Sequence, residues 1–226
     1  PQGDDWLHEV KFDGYRMLAR VEDGEVTLRS RNDKDWTERF GVLADDLARL
    51  PVKEALFDGE VVVQLSDGTT SFQELQNALG SKGGPRGPRG AADDESAAAG
   101  RLLYYVFDLL HLDGYELLAV PLEERKRLLQ QVVTQSSSGS RIRYSEHVAG
   151  QGPALLQEAC EQGLEGVVSK KADAVYRPGR RGEGWLKSKC RMEQEFVVGG
   201  FTDPSGGREG FGALLLGVNE GARLRY

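Results

Sequence analysis

The stretch WLHEVKFDGYRMLARVEDGEVTLRS, residues 6–30, sets the reading of the fold. Three short apolar or alternating runs, HEVKF, YRMLARV and EVTLRS, are separated by Asp13-Gly14 and Asp23-Gly24. A period of two puts successive side chains on opposite faces of a strand, and Asp-Gly pairs favour tight hairpin turns. The stretch therefore predicts three strands joined by hairpins. Outward from it, Thr37 to Leu50 spaces apolar residues at 40, 43, 47 and 50, a helical period that Pro51 ends. ALFDGEVVVQL (55–65) and RLLYYVFDLL (101–110) read as strands, the second apolar enough to be buried on both faces. Ser71 and Glu74 form a capping box that opens a short helix to about Leu79. Pro121 starts another helix, supported by a Glu123/Arg127 pair, and Gly163 closes a helix over 152–163. RIRYSEHV, LEGVVSK and GWLKSKC are further short strands. From about Met192 the pattern turns to hairpin-like units, EQEFVVGGF, ALLLGV and ARLRY. The order predicts an α+β domain of mixed or antiparallel sheets over 1–191 and the beginning of a β-domain over 192–226.

Composition bounds the function. The chain has 226 residues, 39% of them hydrophobic and 29% charged, with 29 Gly. That is enough apolar material to exclude a wholly disordered chain, and the Gly content favours turns and short strands over a helical bundle. No apolar run approaches the roughly 20 residues of a membrane helix, so no membrane partner is expected. The start, PQGDDWLHEV, has no basic region followed by an apolar one, so no signal peptide is read there. Cys160 and Cys190 alone make neither a disulfide framework nor a four-ligand zinc site. A reducing, cytoplasmic compartment is the default. Cys160 is expected in the core and Cys190 partly exposed. His8, His111 and His147 show no metal spacing and are expected at the surface or strand edges. SKGGPRGPRGAADDESAAAG (81–100) lacks core-forming residues and reads as a mobile surface loop.

The net charge of −7 argues mildly against nucleic acid, but its distribution does not. Residues 170–191 carry eight Lys/Arg against two acids, a local +6 on a remainder of −13. Such a segment serves as an anion site or as a solvated basic loop. Spacing decides between them. Lys187 and Lys189 lie two apart on a strand and project from one face, where two cations repel unless an anion sits between them. A phosphate suits that position.

Lys11 ends a strand before a turn in Glu9-Val-Lys-Phe-Asp-Gly-Tyr-Arg16. A lysine attacks only as a neutral amine, and from an ordinary pKa of ~10.4 about one in 2,500 is neutral at pH 7. Bringing the pKa near 7 takes about 4 kcal/mol, part of which desolvation and neighbouring cations such as Arg16 can supply. Taken alone, Asp13-Gly14 is a common turn. Glu60, in FDGE (57–60), suits a ribose hydroxyl or a metal, or is simply a turn acid. Phe107, in YYVFD (104–108), stacks on a base for ~1–3 kcal/mol or packs in the core. Glu165, in EGVVSK (165–170), suits a divalent cation.

In order, KFDGYR, SRNDKDWTERF, FDGE, YYVFD, EGVVSK and WLKSK resemble the signature of the covalent nucleotidyltransferases, which comprise ATP-dependent DNA ligases, RNA ligases and mRNA capping enzymes. SRNDKDW with FDLLHLDG is most similar to the ligase domain of bacterial end-joining DNA ligases, over about residues 4–202. The resemblance implies a nucleotidyltransferase (ATP-grasp-like) domain with flanking helices, followed by the start of an OB-fold β-barrel that breaks off at Tyr226. It implies attack of Lys11 on the ATP α-phosphorus, transfer of AMP to the 5′-phosphate of a nick, and sealing by the 3′-hydroxyl. It implies Glu9, Val10 and Phe107 in the adenine pocket. Arg16, Arg31 and Glu60 then face the ribose or nick phosphate, and Lys187 and Lys189 the α-phosphate. Glu165, with Glu60, takes Mg²⁺ or Mn²⁺. Implied partners are nicked or broken duplex DNA, polymerase and nuclease modules on the same polypeptide, and a Ku-type end-binding protein, in a bacterial, nucleoid-associated setting. The basic motif that orients pyrophosphate falls after Tyr226 in the family, so a protein ending there is expected to form lysyl-AMP poorly. Two other readings remain: an RNA ligase or GTP-using capping-type enzyme, and a non-catalytic module that grips nucleic acid through 170–191.

Overall fold

A computed structural model describes residues 1–80, 101–179, 184–190, 196–204, 206, 209–221 and 223–225. The segment 81–100, expected as a loop, lies outside the described residues, as do 180–183 and 191 of the basic segment. The chain divides into two compact units, Pro1–Cys190 and Arg191–Tyr226.

In the first unit β1 (Gly3–Val10) ends one residue before Lys11. β2 (Tyr15–Glu22) and β3 (Glu25–Ser30) form the expected hairpin around Asp23-Gly24, pairing Glu22 with Glu25. The expected hairpin at Asp13-Gly14 does not form. β1 pairs with strands from the far end of the unit, and the chain crosses from one sheet to another between residues 10 and 15. The reason for a glycine here is proximity, not turn geometry. A Cβ on Gly14 would lie 2.2 Å from the carbonyl oxygen of Val61.

α1 (Gly41–Leu47) is shorter than the apolar spacing predicts, because turns occupy residues 37–40. β4 (Glu54–Gln64) is followed by α2 (Phe72–Gly80), which Ser71 caps by accepting from the Glu74 amide at 3.2 Å. β5 (Arg101–Leu112), β6 (Tyr115–Glu116) and α3 (Leu122–Thr134) come next. The stretch RIRYSEHV splits into β7 (Ile142–Tyr144) and β8 (His147–Gly150). α4 (Gly152–Glu161), β9 (Gly166–Lys171) and β10 (Trp185–Lys189) complete the unit.

These elements make an α+β fold of two sheets. A six-stranded sheet runs β3-β2-β4-β5-β6, with β7 added parallel to β5. A four-stranded antiparallel sheet runs β10-β9-β1-β8. The core lies on the larger sheet. Met17, Phe57, Val61, Tyr104 and Val106 pack there with Leu43 and Leu47 of α1, Leu75 of α2 and Leu129 of α3. Burying each such side chain contributes roughly 1.5–3 kcal/mol. The second unit is an antiparallel sheet of β11 (Val197–Phe201), β12 (Leu214–Glu220) and β13 (Arg223–Arg225).

The cysteines depart from expectation. Cys160, at the end of α4, is exposed rather than in the core, and it is bonded to Cys190 just past β10. Their Cα atoms are 5.3 Å apart. Two thiols 30 residues apart in sequence look isolated, but α4 packs on β9 and brings them together. His8 also departs from expectation: it is wholly buried, with Nδ1 2.8 Å from Ser169 Oγ.

Candidate active site

Lys11 is placed by its backbone. Its amide donates to the Gly166 carbonyl at 2.8 Å, which ties the residue after β1 to the start of β9. Gly166 has φ +141°, and a Cβ there would lie 2.1 Å from the Ser188 carbonyl oxygen. Only glycine lets β10 approach this closely.

The Lys11 Nζ donates to Glu165 Oε2, and Lys189 Nζ lies 3.0 Å from Glu165 Oε1. One carboxylate thus bridges the lysine of the first turn and the second lysine of β10. Burial works against the charged form of Glu165, but its bonds to Lys11 and Lys189 hold it below the usual carboxylate range. Lys187 lines the same cavity as Lys11. Burial, with Lys11 and Arg16 nearby, brings its pKa below the ordinary lysine value. Glu60 lines the cavity from β4. Burial pushes its pKa up to about 7, although Lys11 and Arg16 oppose the shift.

Arg16 reaches the cavity from β2, held by Asp58 at 2.9 and 2.5 Å in a fork. Asp58 is wholly buried and accepts a third bond, at 2.7 Å, from the Tyr176 hydroxyl. The Arg16 guanidinium carbon lies 5.5 Å from the Phe107 ring centroid and 5.7 Å from that of Trp185. These two rings meet edge to face at 5.9 Å. The Lys170 ammonium sits 4.3 Å from the first and 4.4 Å from the second. Phe107 is half-buried and lines the cavity, outside the buried core cluster.

Glu9 and Val10 line the cavity with Phe107 and Lys170. Glu9 is buried, and Lys126 and Lys170 both donate to it. Burial would raise its pKa, but Lys170 and Lys126 outweigh that and hold it below the usual range. Of the residues expected at the site, the structure gathers Glu9, Val10, Lys11, Arg16, Glu60, Phe107, Glu165, Lys187 and Lys189 around Lys11 or its cavity. Arg31 is exposed just past β3 and does not line the cavity.

Sequence reading missed Asp58 as the holder of Arg16, as well as Tyr176, Trp185, Ser145 and Lys126. No motif singles out a residue of α3, yet Arg125 and Lys126 are wholly buried there. A signal was present. Positions 122, 125, 126, 129, 132 and 133 follow the period of the helix's buried stripe, and two of them are basic. A cation on an apolar stripe needs a buried partner, and Asp108 and Glu9 supply them.

No group of three or more His, Cys, Asp or Glu able to hold a metal occurs among the described residues. Glu60 and Glu165 both interact electrostatically with Lys11.

Residues 1–189 match the family model of the ATP-dependent DNA ligase domain. The chain is 41% identical over 229 residues to the multifunctional non-homologous end joining protein LigD of Pseudomonas aeruginosa, covering 100% of this chain and 25% of that protein. It is 34% identical to LigD of Mycolicibacterium smegmatis, over 94% of this chain and 25% of that one. The solved ligase domain of Mycobacterium tuberculosis LigD superposes with a TM-score of 0.67 at 34% identity, covering 99% of this chain and 66% of that structure. The chain thus spans about a quarter of the length of these curated relatives.

Proposed function

Because the chain belongs to the family of ATP-dependent DNA ligase domains, we propose that it seals nicks or breaks in duplex DNA by covalent nucleotidyl transfer through Lys11. The observation that carries this reading is the setting of Lys11: its Nζ bonds Glu165, and Lys187, Arg16 and Glu60 line the cavity beside it.

The first step is attack of the deprotonated Lys11 amine on the α-phosphorus of ATP. A P–N bond forms, the bond to the bridging oxygen breaks, and pyrophosphate leaves. Glu165 Oε2 already accepts a hydrogen bond from Nζ, so it is positioned to take the proton. Lys187 and Lys189 face the negative charge spreading over the phosphoryl oxygens. Glu9, Val10 and Phe107 take the adenine, Phe107 by stacking, and Glu60 with Arg16 takes the ribose or the nick phosphate. Glu60 and Glu165 would hold Mg²⁺ or Mn²⁺, which neutralises phosphate charge. AMP then passes to the 5′-phosphate of the nick, and the 3′-hydroxyl displaces it with formation of the phosphodiester.

We also infer that residues 192–226 open an OB-fold barrel. By the same similarity, polymerase and nuclease modules share the polypeptide, a Ku-type protein brings it to broken ends, and the setting is cytoplasmic at the nucleoid. No helix among the described residues is long and apolar enough to cross a membrane.

The test is incubation with labelled ATP followed by mass spectrometry of the Lys11 peptide. An adenylyl adduct on Lys11, absent in Lys11→Ala together with nick sealing while DNA binding persists, is the expected outcome. A Lys11→Ala variant that seals as well as the parent overturns the reading. Label from GTP but not ATP favours the capping-type enzyme.

A further inference from the structure

β10 is held by the sheet on one side. In the order β10-β9-β1-β8 it is the edge strand, five residues long, with Leu186, Lys187 and Lys189 exposed along it. An edge strand with so little buried surface opens locally at small cost. Yet this strand carries Lys189, whose Nζ lies 3.0 Å from Glu165 Oε1. The Cys160–Cys190 bridge is built around that ion pair. Cys190 directly follows Lys189, and its amide donates to the Glu165 carbonyl at 3.0 Å. Cys160 precedes Glu165 across the turn that ends α4. Two bonds fix that turn, from the Gly163 amide to the Cys160 carbonyl at 3.1 Å and from the Leu164 amide to the Ala159 carbonyl at 2.9 Å. The bridge thus closes a small ring that contains both Glu165 and the end of β10. Cys160 is exposed and Cys190 half-buried, so the bridge is approached from the Cys160 side.

We propose that the Cys160–Cys190 pair is a thiol–disulfide exchange site that takes a dithiol reductant, and that its state sets how firmly Lys189 is held on Glu165 and so the rate at which Lys11 captures nucleotide. This rests on the nucleotidyl-transfer reading. A thiolate of the reductant attacks Cys160 Sγ, the S–S bond breaks, and Cys190 leaves as a thiolate that takes up a proton. The second thiolate of the reductant attacks the mixed disulfide and frees Cys160, which is protonated in turn. Two electrons pass to the pair, and the reductant ends as a disulfide. With the bridge open, the end of β10 rests on its hydrogen bonds to β9 and on the Cys190 amide, and local opening carries Lys189 off Glu165. In a reducing setting a disulfide is more often a transient, redox-sensing element than a permanent staple.

Dithiothreitol is the reductant used, and a thiol reagent counts the groups it frees. The readout is the rate of lysyl-AMP formation on the full chain against ATP concentration, at a temperature where circular dichroism shows both forms folded. Reduction is expected to free two thiols, to lower kcat about fivefold and to leave the KM for ATP within about twofold, because Lys189 acts on the phosphoryl group and not on the base. Reoxidation with oxidised glutathione should restore the parental rate. Cys160→Ser/Cys190→Ser should run at the reduced rate with or without the reductant. Lys189→Ala should be slow and lose the response, because the group through which the bridge acts has gone. A parent chain whose two thiols are freed with no change in rate overturns the proposal, as does a bridge that dithiothreitol does not open. A fivefold response that survives in Lys189→Ala overturns it too. Should the double serine variant not fold, the reduced and reoxidised parent decide without it. A chain that forms no adduct in either state refutes the nucleotidyl-transfer reading and this proposal with it. Adduct formation at one rate in both states refutes the switch alone.

Discussion

The buried Asp58 carboxylate holds the Arg16 guanidinium in a fork, with contacts of 2.9 and 2.5 Å. The acid is sealed in the sheet while the base keeps 42% of its side chain open to the cavity side. Burial works against the charge on Arg16, and the bonds to Asp58 outweigh it, so its pKa lies above the ordinary arginine value.

Asp58→Asn keeps the shape and removes the charge. It should cost about 1.5–3 kcal/mol in urea denaturation, the range for hydrogen bonds to charged groups. Arg16→Lys should lose adduct formation at least about tenfold, because an ammonium cannot reproduce a two-pronged contact. Adduct formation at the parental rate in Arg16→Lys would show that the fork is dispensable.

Glu60 predicts a pH dependence of stability. Its carboxyl titrates near pH 7 in the folded protein because burial disfavours the anion, against an ordinary value of 4.5 in the unfolded chain. Between these values the unfolded state binds fewer protons, so this group lowers stability as pH rises from about 4.5 to 7. Glu60→Gln should flatten that slope and gain on the order of 3 kcal/mol above pH 7. Melting temperatures of the two proteins between pH 5 and pH 8 provide the comparison, and parallel curves count against it.

Gly166→Ala should be severe. The added methyl meets the Ser188 carbonyl oxygen at 2.1 Å in a backbone region with φ +141°. The cost is about 2–4 kcal/mol of strain, or a displacement of β10. Since the Lys11 amide bonds the Gly166 carbonyl, adduct formation should fall even at temperatures where the variant stays folded.

The Cys160–Cys190 bridge closes a loop of sequence separation 30, and loop-closure entropy assigns it about 3–4 kcal/mol. Reduction, or a Cys160→Ser/Cys190→Ser variant, should lower the melting temperature by roughly 6–16 °C. Free thiols in the untreated protein, counted by a thiol reagent, would contradict the bridge.

Much of this fold is legible in local chemistry. The Ser71 cap, the Asp23-Gly24 hairpin and the valine-rich β4 each follow from residues a few positions apart. What stayed hidden depends on long-range partners. Asp13-Gly14 reads as a hairpin because the sequence does not display the Val61 carbonyl pressing on Gly14. Arg125 and Lys126 do not stand out in the sequence because exposure is the rule for such residues, and their partners Asp108 and Glu9 lie 17 and 117 positions away. The cavity follows the same pattern. Its motif residues stand out by spacing, but Tyr176 and Trp185 acquire a role only from the loop and strand that carry them toward Arg16.

In the sheet order β10-β9-β1-β8, the strand leading into Lys11 lies beside strands made last. At about 5–20 residues per second, a ribosome needs roughly ten to forty seconds to travel from Lys11 to Lys189. Throughout that interval the nascent chain lacks Lys189, which in the folded unit shares Glu165 with Lys11. On the proposed role of Lys11, the lysines of β10 come beside its cavity and its Glu165 partner only once that last strand of the unit has docked.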